Sequence, residues 1–506
     1  MATTRASAAL AGLGVTGGSV GLAELLTRLA GTGPGPVEAV AEAFIDATPA
    51  WLKDLAIALF GTADKVALGV GIVVVMAGLA VAAGLAERAR TVRGAVLLAV
   101  LAVVAAVATL VRPDGGALAT WPVLVSGLAG ALALVGLLRP APLDPARAMA
   151  DRKVLDRRRL LLGAGAVGGL AVVGGSVTRF AGGTPTAGAA PLDLPVPASP
   201  APRVPPSATL DVPGLTPWRT PNADFYRIDT AFVVPQVDPE SWTLRVHGLV
   251  EREVVLTLDE LLAEDLVEAW ITLCCVSNEV GGSLIGNARW LGLPVRTVLE
   301  RAGVRDDADM VLSRSVDGFS ASTPLEVLTD DRDALLAVGM NGTELPPEHG
   351  YPVRVVVPGL YGYVSATKWL AELEVTRFAD RTAYWTDRGW SPRGPVKISS
   401  RIDVPRGART LTAGEVVVAG VAWAQHTGIA AVDVRIDGGP WQAAELADEL
   451  SVDTWRQWVY RWDAPAGDHS LEVRATGHDG EVQTEEIQGV VPDGATGLHR
   501  VEVVVE

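Results

Sequence analysis

Two adjacent cysteines stand in Thr272-Leu273-Cys274-Cys275-Val276-Ser277-Asn278, an apolar run that turns small and polar. A thiolate is the soft ligand a transition metal selects, and coordination keeps it deprotonated. Upstream, Phe225-Tyr226-Arg227 sets an aromatic pair beside a cation. Downstream come His349-Gly350-Tyr351-Pro352-Val353-Arg354, then Pro358-Gly359, then Thr367-Lys368-Trp369. These bring His, Arg and Lys to strand ends and glycine turns, where cations can grip an anionic ligand. Neighbouring cysteines seldom pair with each other, because the geometry strains a disulfide. The chain has only these 2 cysteines, so its stability must come from burial. Taken singly, each feature is also what a core thiol pair or a surface turn looks like. Their convergence points to a metal and an anion.

The elements that must position these residues mix α and β. Trp242–Leu249 alternates like a strand, and Thr257–Ala263 starts a helix with Thr257 as its cap. Ile271–Val276 reads as a buried strand, Leu293–Ala302 as a helix ending near Gly303, and Val353–Val357 as a strand stopped by Pro358-Gly359. Between Trp218 and Lys397 no GxGxxG or P-loop occurs, so a nucleotide-cradling fold has no support in that segment. From Ser399 the pattern is nearly all β: Glu415–Trp423, Ala431–Ile436, His469–Ala475 and His499–Val505 are strands separated by turns such as Asp437-Gly438-Gly439. That spacing predicts an immunoglobulin-like sandwich.

The whole chain has 506 residues, 49% of them apolar and 20% charged, with a formal charge of −16. Such a length suggests several units of about 150 residues. A mean hydropathy of +0.31 sits oddly with that acidity. The two separate near residue 180, because the first 180 residues carry 16 Lys and Arg against 11 Asp and Glu, net +5, and the remainder is −21. A simple soluble enzyme, a disordered chain and a collagen-like fibre are excluded. The charge also argues against nucleic acid as a partner, since the polar part would repel phosphates.

Five apolar stretches approach the ~20 residues a spanning helix needs: Ala8–Leu29, Val66–Ala86, Gly94–Val111, Ala117–Leu138 and Leu160–Thr178. Basic residues gather between the second and third (Arg88, Arg90, Arg93) and between the fourth and fifth (Arg139, Arg147, Arg152, Lys153, Arg157, Arg158, Arg159). The positive-inside rule then predicts a multi-pass plasma-membrane protein with a cytoplasmic N-terminus. Five crossings place everything after residue 180 outside the cytoplasm. Val37–Phe60, broken at Pro49, reads as two short amphipathic helices on the outer surface. All 6 histidines lie beyond the spans and only Met76 lies within one, so no intramembrane haem is expected, nor an iron–sulfur cluster. Asp156-Arg157-Arg158-Arg159-Leu160-Leu161 is similar to a twin-arginine export signal placed internally, and equally satisfies positive-inside topology. The expected domains are an anchor over 1–181, a Pro/Ala-rich semi-rigid linker over 182–213 that holds the next domain off the bilayer, an α+β catalytic domain over 214–397 and the sandwich over 398–506.

From Trp218 to Glu506 the chain resembles the sulfite oxidase family of molybdopterin enzymes, which also contains periplasmic reductases. Three motifs and the sandwich fall in the family's order and spacing. The resemblance implies a molybdenum–molybdopterin cofactor whose metal-ligating thiolate is Cys275, with Cys274 in a spacer position. It implies that Phe225, Tyr226 and Arg227 line the pterin and substrate pocket and that Asp317 contacts the pterin. It further implies that His349 and Arg354 surround the cofactor phosphate and that Ala366, Thr367 and Lys368 close the site. Arg227 is expected to serve both cofactor and substrate, orienting the substrate oxygen. The sandwich is the family's dimerisation domain, which implies a homodimer.

The chain departs from the family where sulfite oxidases place two arginines after the motif asparagine: Glu279 and Val280 stand there, and Phe319 stands near a family tyrosine. Exchanging a cation for Glu279 is expected to weaken sulfite binding by about 1–4 kcal/mol at contact. The expected activity is therefore oxygen-atom transfer on an S-oxide or N-oxide type of small substrate. Electrons would be exchanged with a small exported redox protein or a quinone-linked membrane protein. The rival readings are a sulfite oxidase proper and a non-catalytic tethered β-sandwich binding protein.

Overall fold

The computed structural model describes residues 4–30, 35–48, 64–112, 117–138, 192–231, 233–407 and 410–506. It divides into two compact units, Met1–Ala189 with Ala231–Val234, and Ala190–Thr230 with Pro235–Glu506.

The first unit contains helices α1 (Arg5–Ala30), α2 (Pro36–Ala47), α3 (Asp64–Ala89), α4 (Arg93–Val111) and α5 (Trp121–Leu138). Among the described residues, 4 helical segments are long and apolar enough to cross a membrane: Arg5–Ala30, Gly69–Ala89, Arg93–Val111 and Ala117–Leu138. Their outward faces expose Val70, Val74, Val96, Val100 and Val103, a surface that hydrocarbon accepts and water does not. Glycines let α1 and α3 approach closely: a Cβ on Gly12 would stand 2.0 Å from the Ala80 carbonyl oxygen. The buried Glu87 carboxylate accepts from the backbone N–H groups of Val92, Gly94 and Ala95 at 3.0, 3.1 and 3.2 Å. It thereby satisfies donors that the start of α4 would leave bare. The expected amphipathic pair appears as α2 for its first half. Its second half, the apolar stretch Leu160–Thr178 and the Arg157-Arg158 motif lie outside the described residues.

In the second unit, strands β1 (Thr243–Gly248) and β2 (Val254–Thr257) lead through helix α6 (Leu258–Leu262) to β3 (Val267–Cys274) and β4 (Ile285–Pro294). Helix α7 (Val295–Ala302), β5 (Met310–Ser315), β6 (Ser320–Pro324), α8 (Glu326–Thr329), β7 (Leu335–Met340) and β8 (Thr343–Glu344) follow. Then come β9 (Arg354–Val356), α9 (Gly362–Ser365) and β10 (Leu370–Thr376). Two sheets result, β2-β1-β10-β5-β6 and β3-β4-β7-β8, with β9 also paired to β7. Thr257 caps α6 through a reciprocal box with Glu260, a feature worth about 1 kcal/mol. Gly303 ends α7 at φ 69.

The C-terminal part is all β: β11 (Ser399–Val404), β12 (Thr410–Leu411), β13 (Gly414–Trp423), β14 (Ile429–Ile436), β15 (Gln442–Ala443), β16 (Glu445–Leu446), β17 (Arg456–Ala464), β18 (Gly467–Gly477) and β19 (His499–Val505). They form two sheets, β11-β13-β17-β16 and β12-β19-β18-β14-β15. One apolar core joins these sheets, with Val418, Trp458 and Trp462 from one and Val434, Val473 and Val503 from the other.

The proline-rich segment differs from expectation. From Leu192 it lies on the domain instead of spacing it: Leu192 N–H donates to Glu344 at 2.8 Å, Ala198 N–H to the Leu266 carbonyl at 2.8 Å, and Ser199 bridges Val267. Extended chain has unpaired backbone groups, and β3 is an edge strand with the same need, so each satisfies the other.

Candidate active site

The end of β3 delivers the cysteines. Cys275 N–H donates to the Leu284 carbonyl at 2.9 Å, and Asn278 N–H donates back to the Cys275 carbonyl at 3.1 Å. The Asn278 side chain accepts from Leu284 N–H at 2.7 Å and closes the loop. Thr272, one turn of the motif earlier, accepts from Trp455 N–H at 2.9 Å and from Gln425 Nε2 through its carbonyl at 3.1 Å, which ties β3 to the C-terminal sheets.

A cavity open at its mouth lies beside this loop. Its wall includes Phe225, Tyr226, Asp229, Cys275, Ser277, Asp317, His349, Arg354, Ala366 and Lys368. Cys274 is not in the wall; it packs into the main core with Leu360, Tyr361 and Tyr363. Burial pushes the Cys275 thiol up, against the pull of Ser277 hydrogen bonds, so a free thiol here is protonated.

Arg354 is 5% exposed, and its guanidinium donates to the carbonyls of His349 (3.1 Å), Val355 (3.4 Å) and Ala366 (3.4 Å). It lies 5.1 Å from the Trp290 ring centre. Among the described residues no carboxylate pairs with it, and burial lowers its pKa to about 10. A buried cation without a counter-ion is costly unless an anion joins it. Lys368 Nζ donates to Asp229 at 2.7 Å and to the Glu348 carbonyl at 3.1 Å; burial lowers its pKa to about 8 despite Asp229. Gly350, at φ +112, lets Arg354 and Lys368 approach each other, since a Cβ there would be 3.0 Å from the Cβ of each. His349 Nε2 donates to the Asn222 carbonyl at 2.8 Å, and burial drops its pKa to about 4, so the ring is neutral at pH 7. Asp317 accepts from Thr230 Oγ1 at 3.2 Å and from Phe319 N–H at 3.2 Å, leaving lone pairs for a further donor.

Two expected site residues stand elsewhere. Arg227 is outside the wall; its side chain is 39% exposed and its Nε reaches Asp229 at 2.9 Å. A buried carboxylate two residues on captures the guanidinium first. Thr367 is fully buried behind the wall, its Oγ1 2.7 Å from Ser313 Oγ. Glu279 is exposed and also outside the wall. Reading the sequence missed Asp229, Tyr363, Trp385 and Trp390. Asp229 follows the Phe-Tyr-Arg motif by two residues and was legible as a counter-ion; the tryptophans lie on an irregular segment without a pattern.

The donor set suits a group carrying a soft-ligand metal, an anionic phosphate and a hydrogen-bonding heterocycle. A thiol, an uncompensated buried cation and an acceptor carboxylate share one wall.

Comparison with known proteins agrees. The model of the oxidoreductase molybdopterin binding domain matches residues 231–385. The chain is 31% identical over 301 residues to the mitochondrial sulfite oxidase of Homo sapiens, covering 50% of this chain and 55% of that protein. It thus spans about half the length of the curated relatives of this kind. It is 33% identical over 157 residues to the uncharacterized oxidoreductase YuiH of Bacillus subtilis (strain 168), covering 31% of this chain and 76% of that one. The fold is shared with the sulfane dehydrogenase SoxCD from Paracoccus pantotrophus, at a TM-score of 0.51 and 24% identity over 56% of this chain and 80% of that chain. The chain belongs to the sulfite oxidase family of molybdopterin-binding oxidoreductases.

Proposed function

We propose that this chain is a membrane-anchored, extracytoplasmic molybdenum oxidoreductase that transfers an oxygen atom on a small S-oxide or N-oxide and exchanges electrons with a separate carrier. The observation that carries the reading is the buried Arg354, which has no carboxylate partner among the described residues, in the same wall as the Cys275 thiol. Bound molybdopterin supplies the oxygen-atom and two-electron chemistry. The chain's residues hold and orient it. Cys275 gives the protein thiolate, which the metal keeps deprotonated against the upward pull of burial. Arg354 and Lys368 hold the phosphate. Asp317 accepts from the pterin amino group, and neutral His349 offers Nδ1 as an acceptor because Nε2 is committed to Asn222. Arg227 acts through Asp229, which it braces from outside.

Membrane anchoring rests on the 4 apolar helices and on the fifth apolar stretch of the sequence. The asymmetry of the basic loops supports an outer location for the second unit. The C-terminal pair of sheets serves as an immunoglobulin-like dimerisation module.

The test is purified full-length protein in detergent, analysed for molybdenum and assayed for sulfoxide reduction with reduced viologen dye. About one molybdenum per chain with turnover is expected. Turnover of sulfite with micromolar affinity would make it a sulfite oxidase proper, and absence of metal would leave a tethered sandwich protein.

A further inference from the structure

Four rings in the cavity wall, Phe319, Tyr363, Trp385 and Trp390, are not among the residues given a role toward the cofactor above. They come from distant places: Phe319 from the turn between β5 and β6, Tyr363 from α9, and the tryptophans from the irregular segment after β10. Yet they belong to one continuous belt. Phe319 lies 5.9 Å from Tyr384 between ring centres, Tyr384 lies 5.2 Å from Trp385, Trp385 lies 6.1 Å from Trp390, and Trp390 lies 5.9 Å from Tyr363. The belt is held from behind. Tyr363 Oη donates to the carbonyls of Ser391 (2.8 Å) and Arg393 (3.3 Å), and the Arg388 guanidinium lies 3.6 Å from the Tyr384 ring centre while donating to the Tyr384 carbonyl at 2.8 Å.

Those bonds commit the polar end of Tyr363, so the belt offers ring faces and edges to the cavity. Phe319, Trp385 and Trp390 are half-buried, whereas Tyr363 is buried like Cys275, Arg354 and Lys368, so three of the four rings stand nearer the solvent. Among the described residues, the charged cations in the wall are Arg354 and Lys368, and Lys368 already pairs with Asp229. A neutral substrate with an apolar body fits this mouth better than a small dianion, which would lose water without gaining a cation.

We propose that the Phe319–Tyr363–Trp385–Trp390 belt is the substrate subsite and selects neutral sulfoxides carrying an aryl or bulky alkyl group. This rests on the oxygen-atom-transfer reading above. Reduction of such a substrate breaks one S=O bond, consumes two electrons and two protons, and releases a thioether and water; in the assay reduced viologen supplies the electrons.

The experiment compares methyl phenyl sulfoxide with dimethyl sulfoxide on the full-length holoenzyme, by turnover and by calorimetric binding to oxidised enzyme without reductant. The aryl substrate is expected to have a kcat/KM about 100-fold higher, mostly through KM, as added apolar groups in a pocket give. Trp390→Ala is expected to cut that ratio about 10-fold or more with molybdenum retained, and Trp390→Phe to restore most of it. Should Trp390→Ala lose its metal, Phe319→Ala gives the same comparison. Equal turnover of both sulfoxides, or a ratio unmoved in a metal-replete variant, overturns the subsite and leaves the oxygen-transfer reading standing. Binding of methyl phenyl sulfoxide that weakens in Trp390→Ala, without turnover, supports the subsite and sinks the activity. Neither binding nor turnover sinks both.

Discussion

The thiols of Cys274 and Cys275 are neighbours in sequence but serve different environments. Cys275 forms part of the cavity wall, while Cys274 Sγ is packed in the core and donates to the Cys275 carbonyl at 3.5 Å. Alternation along a strand produces this separation. A single-residue shift in the register of β3 against β4, where Cys274 opposes Ile285, would exchange their roles.

Arg354→Gln removes a wall cation that has no carboxylate partner among the described residues. Losing a charge-assisted hydrogen bond costs about 1.5–3 kcal/mol, so cofactor affinity is expected to fall roughly 10- to 100-fold. Molybdenum content after gel filtration checks this, with circular dichroism showing that the fold is kept.

Lys368 gives a pH dependence. Its folded pKa of about 8 lies below its ordinary 10.5, so its charge is present below about pH 8 and is lost above it, where the unfolded chain is still protonated. Loading of apo-protein with cofactor is expected to decline as pH rises through 8. Lys368→Met is expected to load poorly at every pH and to lose that decline.

Arg401 on β11 binds the cysteine loop to the C-terminal sheets. It donates to the Gly282 carbonyl at 2.6 Å, to Asp403 at 2.6 Å and to Thr216 Oγ1 at 3.0 Å. Arg401→Met leaves the buried Asp403 without its cation, holding only the Thr216 N–H at 3.2 Å, and about 3 kcal/mol of destabilisation is expected, read as a lowered Tm of the second unit.

Fusions test the topology. Alkaline phosphatase joined after Glu506 is expected to be active, and a fluorescent protein that folds only in the cytoplasm is expected to be dark there. The reverse pattern would mean an even number of crossings.

Much of the fold was legible because its signals are local. Apolar runs marked the four long apolar helices described, Thr257 and Gly303 marked helix ends, and His499–Val505 alternates strictly and is a strand over that same range. The segment 192–213 was misjudged because its partners lie far along the chain, on β3 and β8, and composition cannot show them. The site was legible at Cys275, Asp317, His349, Arg354 and Lys368 as residues that meet in one wall. Arg227 and Thr367 fell outside it for reasons of packing: a carboxylate two residues away and a hydroxyl in the adjoining sheet took up their polar groups. The aromatic belt carries no periodic signal because its rings come from a turn, a short helix and an irregular segment.

The most direct measurement is molybdenum per chain in two purified variants, Cys275→Ser and Cys274→Ser. Loss of metal from the first and about one atom retained by the second is expected. Equal loss from both, or retention by both, would contradict the assignment of Cys275 as the ligand.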